Sequence, residues 1–239
     1  MNTEATSAKE IGVFGRIIGL FTSPRETFVS IDKKPTWLVP FLISIIFAVV
    51  FTFLAMDIVL QDRIKMLEAR DVPQEQIDVQ SRMQGPMKYI SGISIPVITL
   101  VSWVILSGIF LFGGNTIMGG EAKFKKVFSV VAWSSLVGVL AGIIKTPLIL
   151  SKGTLQGVTT SLAILLPTPE PGQSPSVLYQ LLTKFDVFTI WTIALYCIGL
   201  AVIYKFTTKK SATLVISLWI IWIIISVALG SIFGGMLGM

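Results

Sequence analysis

Long uncharged apolar runs alternate with short charged stretches along this chain. Five runs, at about 37–56, 89–112, 127–150, 187–204 and 212–233, have the length a helix needs to cross a hydrocarbon core of roughly 30 Å. Four carry no charged residue, and the third holds Lys145. Because backbone groups in lipid must bond within their own segment, each run predicts a transmembrane helix. The fold expected is an all-α integral membrane protein with five transmembrane helices.

The polar stretches have their own patterns. In the N-terminal segment Ile11, Phe14, Ile18 and Phe21 recur at helical spacing, diluted by Gly12, Gly15 and Gly19. This predicts a short amphipathic helix lying at the membrane interface. Ser23-Pro24-Arg25-Glu26 then predicts a second short helix over 24–31. Ser23 is its cap, Pro24 its first residue and Glu26 the reciprocal partner of a capping box. Pro35 and Pro40 mark the approach to the first span. Residues 57–70 and 73–83 predict a helical hairpin outside the membrane. The apolar stretch 155–166 is too short to span and reads as a re-entrant or interfacial helix, or a cap on the bundle. Pro167, Pro169, Pro171 and Pro175 make the next segment extended and irregular. The chain thus divides into an N-terminal segment, 1–35, and a five-span membrane domain, 36–239.

Composition agrees. Of 239 residues, 53% are hydrophobic and 13% charged, and the mean hydropathy is +0.82. A soluble globular enzyme is excluded. With no histidine, His-based acid/base catalysis and most zinc and iron sites are excluded too. The single cysteine, Cys197, allows no intrachain disulfide and reads as a packing residue. No cofactor is expected.

The net charge of +6 fits a membrane protein's loops better than nucleic acid, which is not expected as a partner. One set of loops holds Lys9, Arg16, Arg25, Lys33, Lys34, Lys123, Lys125, Lys126, Lys205, Lys209 and Lys210. The other set holds seven basic residues, five of them among six acidic ones in 57–88. The positive-inside rule then places the N-terminus in the cytoplasm and the C-terminus outside. Residues 1–35 lack the apolar core and cleavage site of a signal peptide.

Several stretches resemble bacterial members of the YIP (Ypt-interacting protein) family. They are Leu20-Phe21-Thr22-Ser23-Pro24-Arg25-Glu26-Thr27-Phe28 followed by Ile31, Pro35 and Pro40; residues 120–126 with Phe124 and Phe128; Ala132-Trp133-Ser134; Phe185-Asp186-Val187-Phe188-Thr189-Ile190-Trp191; Gly199-Leu200; and Lys209-Lys210-Ser211-Ala212. The resemblance covers nearly the whole chain. It implies five spans, a cytoplasmic N-terminus, an outside C-terminus and a place in the bacterial inner membrane. Eukaryotic relatives act in vesicle traffic and engage prenylated small GTPases. The family defines no catalytic residue.

Three sets of residues are candidates for function. Lys145, Asp186 and Asp57 fall at one depth near the outer face, where either Lys145 and Asp186 form an ion pair or small polar site, or Lys145 snorkels and both aspartates simply meet water. Ile11, Phe14, Ile18 and Phe21, with Lys123, Lys125 and Lys126, suit contact with anionic lipid or a partner. Gly138 with Gly142, and Gly230 with Gly234, have the spacing that lets helices approach closely. The run Gly113-Gly114-Asn115 to Gly119-Gly120 lacks the order of a phosphate-binding loop. The reading that follows is a non-catalytic membrane-organising or adaptor protein, with membrane lipids and a protein partner or second copy as its contacts. The alternative is a small transporter or lipid-handling protein, using a kink at Pro96, the 155–166 segment and the outer charges.

Overall fold

The computed structural model describes residues 11–82 and 84–233. Lys9, Met83 and Gly234 therefore lie outside the described residues. Ten α-helices follow one another in the described chain: α1 (Val13–Thr22), α2 (Pro24–Lys33), α3 (Leu38–Glu68), α4 (Gln74–Arg82), α5 (Gln84–Leu111), α6 (Phe124–Ser134), α7 (Leu136–Lys152), α8 (Val177–Thr183), α9 (Val187–Tyr204) and α10 (Thr208–Phe233). Five stretches are long and apolar enough to cross a membrane: Leu38–Glu68, Ile93–Ile117, Phe124–Lys152, Val187–Tyr204 and Thr208–Gly230. Below, the basic end is the one bearing the Lys123–Lys126 and Lys205–Lys210 loops.

The third span is the centre of the bundle. Sixty-one per cent of its apolar window is buried, against 11% in the first span and 17% in the second and fifth. Its two halves, α6 and α7, meet at Ser135, whose hydroxyl donates to the Ala132 carbonyl at 2.7 Å. α7 packs on α3 and α9, α6 on α5 and α9, and α10 on α9. Val127, Val130, Val131, Trp133 and Val137 are fully buried here with Leu195 and Leu200 of α9.

α1 and α2 form an antiparallel hairpin that belongs to the same core. Leu20, Phe28 and Ile31 are buried completely, and α2 lies against α9 and α6. Gly19 is a necessary close approach, since a Cβ there would strike the Thr27 side chain. The capping box does not form: the Ser23 side chain makes no cap bond to α2. Its backbone (φ −145°, ψ 64°) serves the tight α1–α2 turn instead, and its carbonyl accepts from the Thr27 hydroxyl at 3.1 Å.

Outside the spans, the expected hairpin over 57–83 is helical in both arms. Its first arm is an unbroken continuation of the first span to Glu68, and α4 is the second. The 155–166 stretch corrects the sequence expectation of a helix. It is mostly irregular, with one 3₁₀ turn, Leu162–Leu165, and a backbone bridge pairing Ser161 with Asp186. The irregular region also gives way to a helix, α8, capped by the Ser176 hydroxyl.

The second span runs through Pro96 and ends in a π-helical turn, Phe112–Ile117. The Tyr204 hydroxyl donates to the Phe110 carbonyl beside it at 3.0 Å. Gly114 and Gly120 leave room for the Tyr204 ring. Asn115 closes the loop through two bonds, donating to the Ala122 carbonyl at 3.1 Å and accepting from its N–H at 3.0 Å. Two of the run's four glycines thus serve packing around one tyrosine, while Gly113 packs against Leu214.

Candidate functional site

The sequence-predicted charges at the end opposite the basic one meet in part. Asp186 precedes α9 in extended conformation, so its carboxylate caps the helix. Oδ1 accepts from the N–H of Phe188 at 2.9 Å and of Thr189 at 3.3 Å. Oδ2 accepts from Lys145 Nζ at 3.1 Å and from the Thr160 hydroxyl. Lys145 lies 5.8 Å from the centre of the Phe188 ring. Burial pushes the Asp186 carboxyl pKa up. The Thr160 hydroxyl, Lys145 and the Phe188 N–H outweigh it and hold the group below its ordinary value.

Four donors occupy the roughly four lone-pair directions of an ionised carboxylate. The protein's own groups thus take up this carboxylate. The cluster acts as a clasp. It ties α7, α9 and the 159–161 segment together, reinforced by the N–H of Leu162 donating to the Phe185 carbonyl at 3.1 Å. Asp57 is not part of it; it lies exposed on α3. The carboxylate that does hold this loop is Asp62, which the sequence reading missed. It is buried and accepts from the Thr154 hydroxyl and the Leu155 N–H, both at 2.8 Å. Two carboxylates, one on α3 and one capping α9, therefore hold 154–161 at its two ends.

At the basic end, the candidate contact residues separate. Phe14 and Ile18 are exposed, at 74% and 48%, and Val13 joins them at 48%. Ile11 is half-buried. Phe21 turns inward onto Trp191, edge to face at 5.4 Å, and so leaves the exposed set. Lys123 and Lys125 are exposed, whereas Lys126 pairs with Asp32. Lys205 on the neighbouring loop and Lys209 in the first turn of α10 are exposed, and Lys210 lies 4.1 Å from the Phe206 ring centre. The two lysine loops adjoin, since Gly120 abuts both Tyr204 and Phe206.

Arg16 positions this surface. It is the one charged residue of α1 and is buried to 6% exposure. Its Nε donates to the Ser30 hydroxyl at 3.1 Å and its Nη2 to the Ser30 carbonyl at 3.0 Å. Nη1 donates to the Lys34 carbonyl at 3.1 Å and the Thr36 hydroxyl at 3.0 Å. A lone arginine amid Phe14, Ile17 and Ile18 was the sequence signal for this anchor.

The small-residue pairs also divide. Gly142 packs against the Phe47 ring and Gly230 against Gln180, while a Cβ at Gly138 would meet nothing within 4 Å.

Five helical stretches long and apolar enough to cross a membrane, packed around an enclosed third one, define a multi-pass membrane protein of five candidate spans. The family model of the Yip1 domain matches residues 18–230. The chain belongs to the Yip1 domain family. No curated protein and no solved structure matches it.

Proposed function

We propose that the protein is a non-catalytic membrane-organising or adaptor protein. It sits in the bacterial inner membrane with its basic end in the cytoplasm, where loops rich in lysine face anionic lipid. Phe14 and Ile18 enter the acyl layer or a partner's apolar surface, while Lys123 and Lys125, joined by Lys205 and Lys209, supply the charge. The observation that carries this reading is a 74% exposed Phe14 on a helix anchored by a buried arginine. With Val13 and Ile18 exposed beside it, Phe14 belongs to a run of outward apolar side chains on a fixed helix, and such a patch marks a membrane or partner contact.

The test leaves the core intact. Phe14→Ser with Ile18→Ser should weaken retention of anionic lipid, read by native mass spectrometry from nanodiscs. Alternatively, it should abolish recovery of a co-purifying protein. Lys123→Gln with Lys125→Gln should act in the same direction. A variant carrying all four changes that keeps wild-type lipid retention and the same bound proteins would sink the reading.

A further inference from the structure

The α1–α2 hairpin stands alongside the spans. Asp32 meets Lys126 at the basic end of α6. One turn further along α2, Phe28 packs beside Val130 of α6 at Gly199 of α9. The turn's Phe21 reaches Trp191. By helix rise, Gly199 lies about 8 Å along α9 from Tyr204, and Trp191 about 20 Å. Both registers advance together, so α2 runs lengthwise into the layer that the spans occupy.

This places charge where lipid is expected. Arg25 and Glu26, in the first turn of α2 and deepest along it, are both exposed. Neither side chain makes an ion pair or hydrogen bond among the described residues. Charged groups facing hydrocarbon are costly and are met in membrane proteins with a partner or a watery cavity. Val29 is exposed on the same side. Around a helix, Arg25 and Glu26 are about 100° apart and Val29 falls between them.

We propose that α2 forms the seam of a homodimer, with Arg25 of each protomer paired to Glu26 of its partner. Two copies inserted in the same direction are related by a two-fold axis along the membrane normal. Two α2 helices then lie side by side and parallel, with Val29 on the axis. The flanking positions alternate across such a seam, as they do in a parallel coiled coil. Arg25 faces the partner's glutamate at nearly the same depth, and the pair is made twice. Charge complementarity thus selects a second copy as the occupant. Lys33, two turns on, lies at the basic end, where water and headgroups screen its repulsion.

The proposal rests on membrane insertion and not on lipid or adaptor contact by Phe14 and Ile18, so either can fail alone. The test uses the full chain in lipid bilayers, with Cys197→Ala as background. Val29→Cys should give an oxidatively crosslinked dimer as the main species. Adding Arg25→Glu or Glu26→Arg should each cut its yield about tenfold, and combining the two should restore it. Restoration in the double variant also shows that the singles did not merely misfold. Three results would overturn the proposal: a monomeric wild type by single-molecule photobleaching, a double variant as poor as the singles, or Glu26→Cys reacting with a membrane-impermeant maleimide as fast as Lys123→Cys.

Discussion

The indole N–H of Trp133 donates to the backbone carbonyl of Thr36 at 2.7 Å. One fully buried side chain in the central span thereby fixes the strap that leads from the N-terminal hairpin into the first span. Trp133→Phe keeps most of the ring and loses the bond. It should cost about 1–3 kcal/mol, as a buried carbonyl is left unpaired. Trp133→Ala adds a cavity and should cost about 3–5 kcal/mol. Thermal unfolding in detergent, followed by size-exclusion of a fluorescent fusion, ranks the two.

The Lys145–Asp186 pair should show rescue. Lys145→Ala leaves a mostly buried carboxylate with one donor fewer and should destabilise by about 1–2 kcal/mol. Lys145→Asp should be worse, and Lys145→Asp with Asp186→Lys should recover part of the loss. Recovery will be incomplete, since a lysine at 186 cannot accept from the N–H groups of Phe188 and Thr189. A thermal-stability double-mutant cycle reads the coupling, and additive effects would count against a direct pair.

Asp186 also sets a pH dependence. Its carboxyl is held below the ordinary value in the folded protein, so acid protonates the unfolded chain first. The stabilisation is complete above the unfolded value of about 3.9 and is lost as pH falls from there through the lower folded value. Melting curves in detergent at stepped acid pH should show a smaller decline for Asp186→Asn than for wild type. Equal slopes would show that other groups govern acid sensitivity.

The two glycines of the third span should behave oppositely. Gly142→Ala drives a methyl into the Phe47 ring and should destabilise by about 1–3 kcal/mol. Gly138→Ala meets nothing within 4 Å and gains helix propensity of about 0.5–1 kcal/mol. Expression level and melting temperature of the two variants, compared side by side, decide it.

The Tyr204 ring is tested from two sides. Tyr204→Phe keeps the ring between Gly114 and Gly120 and frees only the Phe110 carbonyl, a loss of about 1 kcal/mol. Gly114→Ala collides with the ring itself and should prevent folded material from accumulating, read as loss of the monodisperse peak.

Legibility in the sequence followed length and depth. The spans were readable because an uncharged run of that length has few other fates. Lys145 and Asp186 could be matched because alternating spans bring both to the same end. Arg16 was counted only among the loop charges, although its place as the lone charge on an apolar helix was a signal for the anchor, whereas Asp62 was hidden among the other acids of 57–88. The 3₁₀ turn and α8 were not legible, since such short elements take their shape from what they pack on. At Ser23 local chemistry promised a cap, but the tight approach of Gly19 to Thr27 set the backbone otherwise.

The enclosed third span has a consequence for biogenesis. Its α6 face packs on α9, and Lys145 finds Asp186 only 41 positions later. At about 5–20 residues per second, the ribosome needs several seconds to deliver that partner. During this interval the most buried segment of the mature protein stands in the membrane with a lysine and an unfilled face. An insertase that holds the first three spans together until the fourth arrives would shelter this intermediate. Slowing translation between 150 and 186 should make the protein more dependent on it.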